Sequence, residues 1–442
     1  MTLEVPLGSI RSAFQGVIPS PVATASADGQ PHSTYLSIVW YVDEERIALS
    51  NQFMNTTARN MRENPHVVVR VVDPGTMEEY EITAVHVRSE ASGPTFEAMR
   101  TQLEAVAAQT GMTGVFRLRG AEILRVTECR ATRRRSVPTV TSATPLVDVL
   151  SGLEEFGRRL AGALDLDDVT RIGLEALDDL FHLRHSMLLL ADAQHETLFV
   201  VASNGYRPAG IGAEIATTEG LLGVVATRRR QVRIANVERS RILARAAATG
   251  KGEIPLPGLT TAQSVLATPL LTGDRLVGVL YLDSEQAGRF GPEDARLLAV
   301  VANMFVTSIA LHTEAGDDEP GSDTTTEPTG RTTGRVITID VYEQNGSVFF
   351  DGDYVIKGVA GRALAAMVEE FERSGRTTFS NRELRLNPTL ELSPGKDNLE
   401  ARLLTLRRRL ELRDDPVRLH KVGRGRLRLA LDTEVVVTRH RG

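Results

Sequence analysis

In the segment NLEARLLTLRRRLE, Leu399, Leu403, Leu406 and Leu410 recur at offsets 0, 4, 7 and 11, the spacing of one buried helical stripe. The same rotation points Arg408 nearly opposite that stripe, sets Arg402 and Arg409 on one flank with Thr405, and sets Arg407 on the other. A helix anchored by leucines is therefore expected to offer a basic face to solvent. Guanidinium groups pair with phosphate oxygens and with the guanine edge, so the chemistry is recognition rather than catalysis. The KVGRGRLRL run that follows carries Lys421, Arg424 and Arg426 around Gly423 and Gly425, which allow a tight turn. Residues 376–442 hold 16 Lys/Arg against 9 Asp/Glu, a net +7, which leaves −13 for the rest of a 442-residue chain of formal charge −6. A basic tail on an acidic body points to a partner for the tail.

The elements that must position these side chains begin with three short strands at residues 336–341, 347–350 and 354–357, separated by the hairpin signals Asn345-Gly346 and Asp351-Gly352-Asp353. A helix is expected over 359–373 and a short one from Asn381 with Ser380 as N-cap, then a third over 397–412 and a Gly-rich hairpin. Strands, three helices and a basic hairpin resemble the OmpR-type winged helix of response regulators. The resemblance implies double-stranded DNA as partner, with the third helix in the major groove. Arg402, Thr405, Arg408 and Arg409 then become base or phosphate contacts, and Lys421, Arg424 and Arg426 become contacts of the hairpin wing. No receiver domain with a phosphoacceptor aspartate precedes it, so input is expected from elsewhere in the chain.

Upstream, Leu146, Val149, Leu150, Leu153, Phe156 and Leu160 form one apolar helix face. Strands are expected at 186–191 and 197–202, and a hairpin pairs 265–271 with 276–283 across Thr272-Gly273-Asp274-Arg275. A final helix opens after Phe290-Gly291-Pro292 with Leu297, Leu298, Val301, Phe305 and Ile309 on one face. This order, with its EGLLG loop and the SVLATPLLTGDRLVGVLYLDS hairpin, resembles a GAF domain. The resemblance implies an unidentified small-molecule ligand under a loop at 231–263 near 219–223, and a homodimer through the first and last helices. The segment has no cysteine for a covalent bilin. His182, His185 and His195 raise haem as a ligand, although histidines near strand ends more often serve as surface or core residues.

At the N-terminal end, β-rich runs at 22–26 and 32–41 flank an Asp28-Gly29 turn, a third lies at 46–50, a short helix covers 57–63 up to Asn64-Pro65, and a strand follows at 66–72. An alternation at 81–87 and a helix over 95–110 complete the pattern. It resembles the pyridoxamine-phosphate-oxidase-like split barrel, which implies FMN with its phosphate near Ser50, Asn51, Thr56, Thr57 and Arg59. The family's lysine is missing at Thr56 and Thr57. His32 and His66 flank strands.

The expected fold is a multidomain α+β chain: a flavin-binding-type split β-barrel at 1–135, a GAF α/β sandwich with an antiparallel sheet at 145–313, a flexible linker at 314–334 and a winged helix at 335–442. The linker carries no large apolar residue. The single cysteine, Cys129, excludes an internal disulfide and a Cys-rich zinc site. No catalytic residue and no metal are expected. No stretch approaching 20 apolar residues is read from the sequence, so a cytoplasmic protein without a membrane partner is expected. The leading expectation is a ligand-responsive one-component transcription regulator; a flavin-dependent oxidoreductase and a protein-binding signalling scaffold are the alternatives.

Overall fold

A computed structural model of the chain describes residues 4–14, 19–52, 54–73, 76–133 except 111–116, 146–235 except 195, 254–314, 336–392, 398–423, 425–431 and 433–440. The linker expected at 314–334, the sensor-loop residues 236–253, His195 and Arg424 lie almost wholly or wholly outside them. Three units follow one another, and all are mixed α/β; the sheets are antiparallel apart from one parallel pair in the last unit.

The first unit contains β1 (Ser20–Ala25), β2 (Pro31–Leu36), β3 (Val39–Tyr41), β4 (Arg46–Asn51), α1 (Asn55–Glu63), β5 (His66–Val72), β6 (Glu79–Glu90), α2 (Pro94–Thr110) and β7 (Gly120–Arg133). Its seven-stranded sheet has the order β2-β1-β5-β6-β7-β4-β3. The run expected as one strand at 32–41 is two: it breaks at Ser37-Ile38, and its halves pair at opposite edges of the sheet, β2 on β1 and β3 on β4. A buried Ile38 at the break turns the chain across the sheet, a corner that alternation alone does not reveal.

The middle unit contains α3 (Leu146–Ala161), α4 (Leu166–Phe181), β8 (Ser186–Asp192), β9 (Thr197–Asn204), β10 (Glu214–Ala216), α5 (Gly220–Arg228), β11 (Val232–Ile234), β12 (Ser264–Thr272), β13 (Arg275–Ser284) and α6 (Pro292–Glu314). The sheet order is β10-β9-β8-β13-β12-β11. One face packs on α3, α4 and α6 through Phe156, Leu177, Phe199, Leu280 and Phe305. The other carries α5 over Leu189, Val200, Tyr206, Val265 and Val279. Asp165 caps α4 by accepting from the Asp168 amide at 2.9 Å. Contrary to the sequence expectation, α6 is long and apolar enough to cross a membrane, with a mean hydropathy of 1.5 over an 18-residue window within residues 292–313. Here it is a core helix, burying Leu298, Val301, Phe305 and Ile309.

Gly173 on α4 is where the ring of Phe305 fits: a β-carbon there would sit 2.3 Å from it. Alanine gains about 1 kcal/mol of helix propensity over glycine, whereas overpacking costs about 1–3 kcal/mol. Phe305 is fully buried. Gly173→Ala is therefore expected to lower the urea midpoint of the middle unit; an unchanged or higher midpoint would show that the ring can move aside.

The C-terminal unit contains β14 (Val336–Tyr342), β15 (Ser347–Phe350), β16 (Asp353–Ile356), α7 (Gly358–Ser374), β17 (Thr378–Ser380), α8 (Asn381–Leu386), α9 (Leu399–Glu411), β18 (Val417–Gly423), β19 (Arg426–Leu431) and β20 (Glu434–His440). Ser380 caps α8 in a capping box with Glu383, as its spacing indicates. The leucine stripe of α9 packs against α7 and the sheets, with Leu399, Leu403, Leu406 and Leu410 all buried. The hairpin β18–β19 pairs with β17. The unread strand β20 runs back parallel to β14 and completes a four-stranded sheet.

Candidate nucleic-acid interface and sensor sites

The basic face of α9 is not solvated. It lies against the middle unit, where Ala401 and Leu404 join the same apolar cluster as Phe199 and Leu177. Arg402 has a side chain 6% exposed and forks across two carboxylates, donating from Nη1 to Glu214 and from Nη2 to Asp192 at 2.6 Å each. Its guanidinium also sits 3.6 Å from the centroid of the Phe199 ring. Arg408 donates from Nε to Asp167 at 2.8 Å, from Nη1 to the Val201 carbonyl at 2.7 Å and from Nη2 to Thr170 Oγ1 at 2.9 Å. Burial lowers the Arg408 pKa, with the Asp167 carboxylate opposing that shift.

Arg407 joins Asp167, and Lys421 of the hairpin joins Asp165. Burial alone would raise the Asp165 pKa, but Lys421 and the Asp168 amide bring it below its ordinary value. Thr405 is buried and gives its hydroxyl to the Ala401 carbonyl at 2.8 Å. Arg409 turns to its own unit and donates to the Val355 carbonyl at 3.2 Å. Arg426 is half-buried in β19. The expected solvent-facing basic surface is thus corrected: helical rotation places the arginines off the leucine stripe, but a second surface covers them.

The donors expected to hold a phosphate in the first unit do not assemble. Asn51 gives its amide to the buried Glu122 at 2.7 Å, and Glu122 also accepts from Ser89 and pairs with His86 at 2.9 Å. Burial would raise the Glu122 pKa, but His86, Ser89 and Asn51 hold it below the ordinary carboxylate value. Ser50 is buried and accepts from the Ile38 amide at 3.3 Å. Thr57 is buried too, Thr56 is half-buried and Arg59 is exposed. Only the first turn of α1, whose N-cap Met54 supplies no side-chain hydrogen bond, keeps the character of an anion site. A carboxylate beside Asn51 opposes a phosphate there, so these five residues do not fit as a flavin cradle and no flavin step follows from them. Burial pushes the Cys129 thiol up to about 11, which removes it as a nucleophile at neutral pH.

On the α5 side of the middle sheet, Asp283 is 2% exposed. It accepts from the Tyr206 hydroxyl and the Leu259 amide at 2.9 Å each. His185 packs on Tyr206 with ring centroids 5.6 Å apart, and His182 is the left-handed C-cap of α4. Among the described residues, no group of His, Cys, Asp and Glu converges to hold a metal ion.

Residues 163–309 match the family model described as GAF domain. The middle unit is a GAF domain. Residues 9–127 match the model described as Pyridoxamine 5'-phosphate oxidase, so the N-terminal unit is a domain of that type. Among solved structures, the chain is similar to the GAF domain of an Acinetobacter phosphoenolpyruvate-protein phosphotransferase, at 19% identity and a TM-score of 0.32, covering 38% of this chain and 98% of that one. It is also similar to HupZ of Group A Streptococcus, at 19% identity and a TM-score of 0.23, covering 28% and 92%. An FMN-binding protein from Syntrophomonas wolfei subsp. wolfei is similar at 13% identity and a TM-score of 0.26, covering 29% and 87%. No curated protein sequence matches.

The GAF domain touches both neighbours. Helix α2 of the N-terminal domain meets α5, where Arg228 forks onto Glu104 at 2.6 and 2.7 Å, and Gln102 donates to the Arg233 carbonyl at 2.7 Å. Strand β9 separates the two faces of the GAF sheet: Leu198 and Val200 face α5, while Phe199 and Val201 belong to the side that α9 covers. Sequence reasoning missed Asp165, Asp167, Asp192 and Glu214 as partners of α9. The acidic run at 165–168 was readable as a helix start, but nothing local sets it opposite a helix more than 200 residues away.

Asp283 gives a pH prediction. Burial raises its pKa above the ordinary 3.8, with the Leu259 amide and Tyr206 pulling the other way. The folded state therefore holds this proton more tightly than the unfolded chain. That contribution is whole below pH 3.8 and is lost as pH rises through the raised folded value. Asp283→Asn does not titrate, so its stability relative to the wild type is expected to increase as pH rises from mildly acidic to neutral. Urea unfolding of both proteins across that range checks it; a constant difference would refute the assignment.

Proposed function

We propose that the chain is a ligand-responsive one-component transcription regulator, in which small-molecule sensing by the GAF domain, the N-terminal domain or both is coupled to DNA binding by a C-terminal winged helix. The observation that supports this reading is the C-terminal order itself. Helix α7, strand β17, helices α8 and α9 and the hairpin β18–β19 form one core, and the arginines of α9 and the basic hairpin lie outside it. Arg402, Thr405 and Arg408 are the contacts for bases or phosphates on α9, and Arg409 flanks them. Lys421, Arg424 and Arg426 are the contacts of the wing. The partner is double-stranded DNA, the assembly a homodimer and the compartment the cytoplasm.

Coupling needs an element that both sites touch. Strand β9 is that element, with the sensor face on Leu198 and Val200 and the Arg408 acceptor at the Val201 carbonyl. A ligand that shifts β9 or β10 moves the acceptors that seat α9.

The test is the salt dependence of duplex affinity for the full-length protein. Each phosphate neutralised contributes about −0.9 to the slope of log K against log salt. Lys421→Gln is expected to flatten that slope by about 1. Binding independent of salt, or a slope untouched by Lys421→Gln, would count against a wing on DNA.

A further inference from the structure

Resting on the DNA-binding reading, we propose that the GAF face built from Asp165, Asp167, Asp192 and Glu214 stands in for nucleic-acid phosphate, so that this face and a DNA duplex are mutually exclusive partners of Arg402, Arg408 and Lys421. The side chains that the DNA reading requires are those seated on GAF carboxylates. Arg402 spans Asp192 and Glu214, Arg408 and Arg407 share Asp167, and Lys421 takes Asp165. A carboxylate offers a guanidinium the same pair of anionic acceptors as a phosphate edge, so the two compete for one fork. Thr405 is shut in with them: a β-carbon on Gly212 of the GAF domain would lie 3.4 Å from its methyl.

The composition of the seam argues for a contact that opens. A permanent interface gains most from apolar burial, because buried ion pairs repay little beyond their own desolvation. This seam carries much charge, with Ala401, Leu404 and Ile356 among its apolar residues. It also leaves the buried Nε of Arg402 without a hydrogen-bond partner. An unsatisfied guanidinium donor is costly in a fixed core, and a phosphate backbone with more acceptors would satisfy it. The charge asymmetry of the chain then has a structural meaning: the basic C-terminal unit is neutralised by its own acidic body until duplex displaces that body.

The experiment uses three full-length proteins. They are the wild type, the seam variant Asp167→Asn, Asp192→Asn, Glu214→Gln, and a control that removes the same charge from exposed positions, Glu154→Gln, Glu175→Gln, Asp274→Asn. Circular dichroism confirms that each is folded, and Glu214→Gln alone serves where the triple variant is not. Phenylglyoxal labelling of Arg402 and Arg408, read by mass spectrometry, reports the seam, and affinity for sheared genomic duplex reports DNA binding. The expected result is at least tenfold faster labelling and at least tenfold tighter duplex binding in the seam variant, with the control like the wild type. For Glu214→Gln alone, the same direction at a few-fold size is expected. Faster labelling with duplex affinity absent in every protein would overturn the DNA reading itself. Faster labelling with wild-type duplex affinity as tight as the variant's would leave the DNA reading standing and overturn the competition. Unchanged labelling would overturn the seam as a charge-held contact.

Discussion

Arg402→Met is expected to destabilise the docked C-terminal unit by about 3–5 kcal/mol, the cost of removing one partner from a buried ion pair. Methionine keeps much of the side chain's length and its contact with the Phe199 ring, so packing loss is small. What remains is electrostatic: Asp192 and Glu214 face each other across a site that Arg402 fills, with its side chain 6% exposed. They can recover water only if α9 lifts away, which exposes Ala401 and Leu404. Neutralising the acceptors should therefore rescue the loss. Arg402→Met combined with Asp192→Asn and Glu214→Gln is expected to regain more than half of it in urea unfolding followed by a probe on the C-terminal unit. Arg402→Lys should not rescue, because one ammonium cannot fork across two carboxylates. A loss below about 1 kcal/mol for Arg402→Met, the range of surface pairs, would show that the pair is hydrated and the seam loose.

The second large effect belongs to the GAF core. Phe305→Ala is expected to cost about 3–5 kcal/mol, from lost burial and the cavity left behind. The ring is fully buried, meets Phe156 edge-on at 5.7 Å between centroids and fills the notch at Gly173. It joins α6 to α3 and α4, so its removal loosens all three helices at once. Because Leu177, Ala401 and Leu404 share this cluster, the seam with α9 should weaken as well. The N-terminal domain meets the GAF domain through α5 rather than through these helices and should keep its own transition. Urea unfolding with separate probes on each domain is expected to show the GAF transition moving most, the C-terminal one by less and the N-terminal one staying in place. One transition moving as a whole would show that the units unfold together.

Much of the fold was legible because its elements follow local rules. The leucine stripe of α9, the capping box at Ser380 and Glu383 and the hairpin at Thr272–Arg275 each depend on neighbours within a few residues. The break at Ser37-Ile38 and the return of β20 beside β14 were not legible, since strand pairing across a sheet leaves no trace in the spacing of either strand. The site shows the same limit. Periodicity placed Arg402 and Arg408 off the leucine stripe, which they are, and then assigned that flank to water. Burial by a distant surface is a tertiary fact, and the acids that meet the arginines look in sequence like an ordinary helix start and strand ends. Asn51 was drawn away from a phosphate for the same reason, by a glutamate 71 residues downstream.

The central claim, that α9 and its hairpin read DNA, is tested most directly by selecting bound fragments from sheared genomic DNA at moderate salt. The full-length seam variant Asp167→Asn, Asp192→Asn, Glu214→Gln is compared with the same protein carrying Arg402→Gln and Arg408→Gln as well. With the acids already neutral, the added substitutions strand no buried charge. The account predicts discrete enriched fragments for the first protein and their loss in the second. No enrichment from the first, or the same fragments from both, would contradict it.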